Sequence, residues 1–235
     1  MKYKILIFIS ILSVFLFAES CKKSFLDVSA QGEIDEAAVL RDPAAAQNLV
    51  TGVYNSLYEG GFGITTVGFL YYVTVDEASD DADPGSTPAS GTNHGDNASG
   101  YEVDNFIETP NNFFFDNLWK GYYTGINEAN KAIDILNKAT FDASTVKRLK
   151  GEVSYLRGLY YFNLVRLFGG VPKITTVPGV ADFHSDSLVT RVSQEEIYSL
   201  IISDLQFAVD NLPVKGDGSV YLLNQPAQPF MLKPA

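Results

Sequence analysis

The chain has 235 residues, 46% of them hydrophobic and 19% charged, which suits one large domain or two small ones and is too apolar for a disordered tail. With 28 acidic residues against 17 basic ones the net charge is −11, which argues against nucleic acid as a partner, because neutralising phosphates takes surplus Lys and Arg. One cysteine excludes an internal disulfide, and two histidines, His94 and His184, leave few options for histidine chemistry.

The first segment is an address. Lys2 and Lys4 precede an apolar run from Ile5 to Ala18 that is shorter than the ~20 residues of a typical membrane-spanning helix and suits an export signal. The run ends Phe17-Ala18-Glu19-Ser20-Cys21, a small residue directly before the lone cysteine. Residues 1–20 are therefore expected to be a lipoprotein signal peptide and Cys21 the site of lipidation. Anchoring then falls to acyl chains, since an acidic surface does not adsorb to anionic headgroups.

Residues 21–41 follow as an extended, lipidated tether, and a helical domain over 42–215. Its first helix starts at Asp42 and Pro43, carries Leu49, Val50, Val53, Tyr54, Leu57 and Tyr58 at helical spacing, and stops at Gly60-Gly61. Residues 62–75 fit a short strand or a buried helix. From Asp76 to Asn112 the chain is rich in Asp, Gly, Asn, Ser and Thr and contains Pro84, Pro88 and Pro110, which predicts a long surface loop. A second helix is predicted from Asn112 to about Ala139, with Trp119, Tyr122, Tyr123, Ile126, Ala129, Ile133 and Leu136 on one face. A third, from about Thr145 to Phe168, has one stripe through Leu149, Val153, Leu156, Tyr160, Leu164 and Leu167. A second stripe runs through Tyr155, Leu159, Phe162 and Val165, so this helix should lie between neighbours. It stops at Gly169-Gly170-Val171-Pro172. After an irregular excursion, Ser193 and Glu196 stand at capping-box spacing before a fourth helix, with Ile197, Leu200, Ile201, Leu205, Ala208, Val209 and Leu212 as its stripe and Pro213 as its end. The expected fold class is all-α, with TPR-like helical pairs and long irregular loops.

Several ordered segments resemble the SusD/RagB-type outer-membrane lipoproteins. These are the start Cys21-Lys22-Lys23-Ser24-Phe25-Leu26-Asp27, the acidic Asp76 and Asp80-Asp81, and the helix bearing Trp119, Tyr123, Ile126, Asn127 and Asn130. The most specific is Gly151-Glu152 through Arg157, Tyr160-Tyr161-Phe162, Leu164-Val165-Arg166 and Phe168-Gly169-Gly170-Val171-Pro172. Arg191-Val192-Ser193, Glu196-Ile197-Tyr198, Asp204-Leu205 and Leu212-Pro213 complete the block. The resemblance implies a non-catalytic, lipid-anchored protein on the outer membrane of a Gram-negative bacterium, facing the exterior. It implies an oligosaccharide ligand and a SusC-like TonB-dependent β-barrel transporter as partner. Family members are longer, so residues 216–235, a divergent tail with Pro229 and Pro234, are expected to begin a missing second half.

A sugar needs an aromatic face for its C–H groups and Asp, Asn, Gln or Arg for its hydroxyls. Trp119 lies on a helix stripe and is expected to be core. Better ligand candidates are Tyr71 and Tyr72, and then Asp96, Tyr101, Asn105, Phe106, Asn111 and Asn112 in the long loop. Family ligand residues vary with the glycan, so none transfers residue by residue. Asp76, Glu77, Asp80, Asp81 and Asp83 do not make a calcium loop, because the twelfth position from Asp81 is Thr92 instead of Glu. No metal, cofactor or catalytic residue is expected. Alternatives are a TPR-like lipoprotein that binds only protein, a binder of peptide nutrients, or a glycoside hydrolase using loop carboxylates, which need a pair ~5 Å apart in a retaining enzyme.

Overall fold

The computed structural model describes residues 36–58, 68–79, 81–85, 97–180, 182 and 185–213. The signal peptide, Cys21, the Gly60-Gly61 stop, Asp80, Asp96, both histidines and the 216–235 tail lie outside the described residues. Among the described residues there are seven α-helices, one short 3-10 turn and a single antiparallel bridge between Pro172 and Arg191. The fold is all-α with TPR-like pairing of long helices.

Helix α1, Glu36–Val39, occupies what the sequence suggests is tether. Val39 is fully buried, and the Leu40 carbonyl accepts from the amide and hydroxyl of Thr140 at 2.8 and 3.0 Å, so the chain is already docked at this point. Helix α2, Pro43–Asn55, is capped as expected: the Asp42 carboxylate accepts from the Ala44 amide at 2.9 Å. It ends near Ser56, earlier than the glycine pair. Helix α3, Phe69–Glu77, resolves the 62–75 ambiguity in favour of a helix. The surface loop expected from Asp76 to Asn112 is interrupted by α4, Ala98–Asp104, so composition misleads there. One cap and one contact compensate: Asn97 accepts from the Gly100 amide at 3.0 Å, and Val103 is buried against the core.

The three long helices match their predicted positions: α5, Phe113–Asn137, α6, Ala143–Phe168, and α7, Gln194–Asn211. Asp142 caps α6 through the Thr145 amide at 2.8 Å. Ser193 caps α7 through the Glu196 amide at 3.3 Å, while the Glu196 carboxylate turns away to Lys173 at 3.0 Å, so only half of the capping box forms.

Helix α6 runs antiparallel to both neighbours. Against α5, Trp119 meets Phe168, the Gly125 backbone meets Tyr160, and Asn130 meets Arg157. Against α7, Gly151 meets Leu212, Gly158 meets Leu205, and Gly170 meets Val192. Helix α2 packs on α5 and α6 and closes the other side of the core. Gly125 is required by packing: a Cβ there would lie 2.7 Å from the Tyr160 ring. Gly169 ends α6 at φ 71°, a conformation that costs glycine little.

The second stripe of α6 is only partly inward. Val165 is buried, but Phe162 is 38% exposed, while the charged Arg157 of the same helix is buried. Its guanidinium donates Nε and Nη2 to the Asp204 carboxylate at 2.8 and 2.7 Å and Nη1 to Asn130 at 2.9 Å. Asn130 in turn donates to the Ile174 carbonyl at 3.0 Å. Tyr161 both donates to and accepts from the backbone of Ile174, and Tyr123 donates to the Pro172 carbonyl at 2.8 Å. The irregular 169–193 excursion is thereby stitched to the helices by side chains. On α7, Ile197, Ile201 and Ala208 are buried, whereas Leu205 and Val209 join Tyr198 and Ile202 in an exposed apolar stripe.

Candidate functional site

Helices α3 and α4 and the start of α5 meet at one corner, which gathers most of the sequence-predicted ligand residues. The joint is Asn112. Its amide nitrogen donates to the Ser99 carbonyl at 3.0 Å and to Glu102 at 2.9 Å, while its oxygen accepts from the Phe114 and Phe115 amides. Asn112 is thus a buried cap with no polar capacity left for a ligand, and its place among the ligand candidates is corrected on that ground. Asn105 is exposed, but its amide nitrogen closes α4 by donating to the Tyr101 carbonyl at 2.9 Å. Tyr101 is half-buried and Asn111 exposed.

Two of the sequence-predicted aromatic rings at this corner face solvent. Phe106 is 71% exposed and sits at φ 53°, a left-handed conformation that is strained for a side-chain-bearing residue. Tyr72 is 68% exposed and makes an edge contact with Tyr71, ring centres 6.1 Å apart. The Tyr71 hydroxyl accepts from Arg166 at 2.9 Å, and the Arg166 guanidinium lies 5.1 Å from the centre of the Phe162 ring. Tyr72, Tyr71, Arg166 and Phe162 form a continuous strip from α3 to α6, with aromatic faces alternating with hydrogen-bonding groups. Arg166 and Phe162 were not singled out as ligand residues from sequence. The signal was present in the width of the apolar arc on α6, which is too broad for one neighbour to cover.

Behind the corner, Glu77 is buried with one carboxylate oxygen bonded to Asn97 at 3.3 Å and the other without a partner. Burial holds this carboxyl above the usual carboxylate range, with the Asn97 contact acting in the opposite direction. The Tyr122 hydroxyl is likewise buried without a partner, and burial raises its pKa.

The segment after Phe106 forms one wall of a cavity of about 600 Å³ lined by Glu108, Thr109, Pro110, Phe115, Asp116, Trp119, Leu167, Phe168 and Arg191. Trp119, expected to be core, is half-buried and lines this space as well as a smaller cavity of about 190 Å³ bounded by Tyr123, Pro172 and Leu188. Its ring packs edge-on against Phe168 at 5.0 Å and carries the Arg191 guanidinium at 5.0 Å. Among the described residues no group of three or more His, Cys, Asp or Glu side chains could hold a metal ion, and no helix is long and apolar enough to cross a membrane.

This geometry defines a helical scaffold with exposed aromatic and hydrogen-bonding groups on its surface. Residues 24–227 match the SusD-like family described as "Starch-binding associating with outer membrane". The chain belongs to the SusD-like family. It is 28% identical over 212 residues to SusD-like protein P2 of Formosa agariphila, covering 90% of this chain and 38% of that one. A SusD-like protein of Bacteroides ovatus is 25% identical over 224 residues, 92% of this chain and 36% of the relative. Among solved structures, a laminarin-binding SusD-like protein superposes with a TM-score of 0.56 at 30% identity, over 76% of this chain and 36% of that one. Surface glycan-binding protein A of Bacteroides thetaiotaomicron, in complex with laminarihexaose, shares the fold with a TM-score of 0.57 at 21% identity, over 77% of this chain and 35% of that one. The chain spans a little over a third of the length of these curated relatives.

Proposed function

We propose that the protein is a cell-surface lipoprotein, acylated at Cys21 and held in the outer membrane, that captures oligosaccharides without cleaving them and passes them to a TonB-dependent transporter. The observation that carries this proposal is the α3–α6 strip with the neighbouring Phe106. In a family described as starch-binding, it offers a sugar exposed aromatic faces beside tyrosine and arginine hydrogen-bonding groups. Exposed large aromatics are costly to leave in water unless something covers them. Tyr71, Tyr72, Phe106 and Asn111 are the sequence-predicted residues best placed to touch ligand, and Arg166 and Phe162 join them.

Isothermal titration of the full chain, shown to be folded by circular dichroism, against neutral and acidic oligosaccharides tests the binding. Saturable heat with at least one glycan is expected, with no release of reducing ends; silence across the set sinks the glycan assignment. Radiolabelled palmitate should enter the wild type and not Cys21→Ala. Affinity purification from the native outer membrane should recover a TonB-dependent barrel. A second assignment, a module that binds protein alone, is favoured by the exposed α7 stripe of Tyr198, Ile202, Leu205 and Val209. It predicts transporter recovery with no glycan heat.

A further inference from the structure

The geometry points to the Trp119 groove as a subsite for one uncharged sugar residue that rejects anionic glycans, an inference that rests on the glycan assignment above. The floor of the groove is apolar and aromatic, from Phe115, Trp119 and Phe168. Its rim carries donors and acceptors of opposite kind. Arg191 spends Nη1 on the Phe168 and Gly170 carbonyls, at 3.0 and 2.7 Å, which pins the guanidinium over the Trp119 ring. Its remaining donors have no other partner among the described residues. Glu108 is exposed and makes no hydrogen bond or ion pair among the described residues, and Asp116 is engaged only by the exposed Lys120, at 2.6 Å. A sugar hydroxyl both donates and accepts, so a ring lying on the aromatic floor can take a bond from Arg191 and give bonds to Glu108 and Asp116. The cavity of about 600 Å³ is of the size usual for small-ligand sites. Lys120 offsets the Asp116 charge, so the unpaired Glu108 is the carboxylate that a uronic acid entering the groove meets, in a chain of net charge −11.

Trp119 is the only tryptophan, so its emission reports on this groove and on the smaller cavity at its other edge. The test titrates the full chain with laminarihexaose and maltohexaose as neutral probes and with hexagalacturonate as the anionic probe, following Trp119 emission and heat in parallel. A saturable emission change is expected with at least one neutral probe and none with hexagalacturonate. Glu108→Gln, at an exposed position without partners, should weaken the neutral probe about fivefold and let hexagalacturonate alter the emission. Heat from a neutral probe without an emission change overturns the subsite and leaves the glycan assignment standing. An emission response to hexagalacturonate equal to that of the neutral probes overturns the charge selectivity. Absence of both heat and emission change with the neutral probes overturns the subsite, and the wider glycan set then decides the parent assignment separately.

Discussion

The α5–α6–α7 layer and the α3–α4 corner treat buried charged groups in opposite ways. In the layer, Arg157, Asp204, Asn130 and the Ile174 carbonyl form a closed set in which each charge or amide meets a partner at 2.7 to 3.0 Å. In the corner, Glu77 keeps one oxygen unpaired and Phe106 holds a left-handed backbone. The layer contains helices of 25, 26 and 18 residues, whereas α3 and α4 have nine and seven. Long helices whose buried charges are paired make a stiff frame. Short helices with unsatisfied groups and exposed rings stand at the low-stability end from which binding surfaces are drawn. Substitutions should therefore divide: those in the layer's buried interior cost folding, and those at the corner's exposed rings cost ligand.

The largest effect is expected at Asp204. Asp204→Ala strands the Arg157 guanidinium in the interior and should lower unfolding free energy by about 3–5 kcal/mol in urea titrations. Pairing it with Arg157→Met should recover much of that loss, because removing both charges also removes the uncompensated burial. A single variant as stable as wild type would erase the contrast between the two regions. Next is Gly125→Ala, where the added methyl meets the Tyr160 ring at 2.7 Å; about 1–3 kcal/mol of destabilisation is expected from the same titration.

The same division explains what the sequence discloses. In the layer, apolar spacing at Leu149, Val153, Leu156, Tyr160 and Leu164 marks the buried face of α6 directly, and Asp142 and Ser193 mark helix starts. The Arg157–Asp204–Asn130 set is invisible to periodicity, since its members are far apart in sequence, and only the family resemblance draws the eye to each. In the corner, composition suggests a loop, and α4 forms because tertiary contacts through Val103 and the Asn97 cap outweigh a weak local preference. The candidate site is legible in part. Tyr71, Tyr72 and Phe106 were found as aromatics beside a polar stretch, while Asn112 reads the same from sequence and turns out to be a buried cap. Arg191 and Glu108 could not be paired with Trp119 from sequence, because the groove joins the α4–α5 connection to the start of α7.

A subtler test separates the regions by pH. Glu77 titrates above the usual carboxylate range because burial disfavours its charged form. Between the unfolded and folded values the native state binds more protons than the unfolded chain, so stability falls as pH rises through that window and stays lower above it. Glu77→Gln removes the group. Its stability should match wild type in acid, exceed it progressively as pH rises through the window, and run parallel above it. Hydrogen exchange of the α4 amides should slow in the variant at neutral pH. Parallel curves across the whole range would show that Glu77 is paired in solution after all.

The smallest effect on stability should come with the largest effect on ligand. Tyr72→Ala and Phe106→Ala remove rings that are 68% and 71% exposed and touch little of the core. Each should change unfolding free energy by no more than about 0.5 kcal/mol. Phe106→Gly should even stabilise slightly, since glycine adopts φ 53° without strain. If the corner is where a glycan lies, losing either ring removes an aromatic platform worth about 0.5–1.5 kcal/mol beyond its area, and calorimetric affinity should fall roughly 2- to 13-fold. Tyr71→Phe, which removes the hydroxyl bonded to Arg166 and keeps the ring, should have an intermediate effect because the strip loses its registration and none of its aromatic area. Affinity that survives the loss of Tyr72 and Phe106 together would move the binding surface off the corner and onto the Trp119 groove, leaving the exposed rings to contact a protein partner instead.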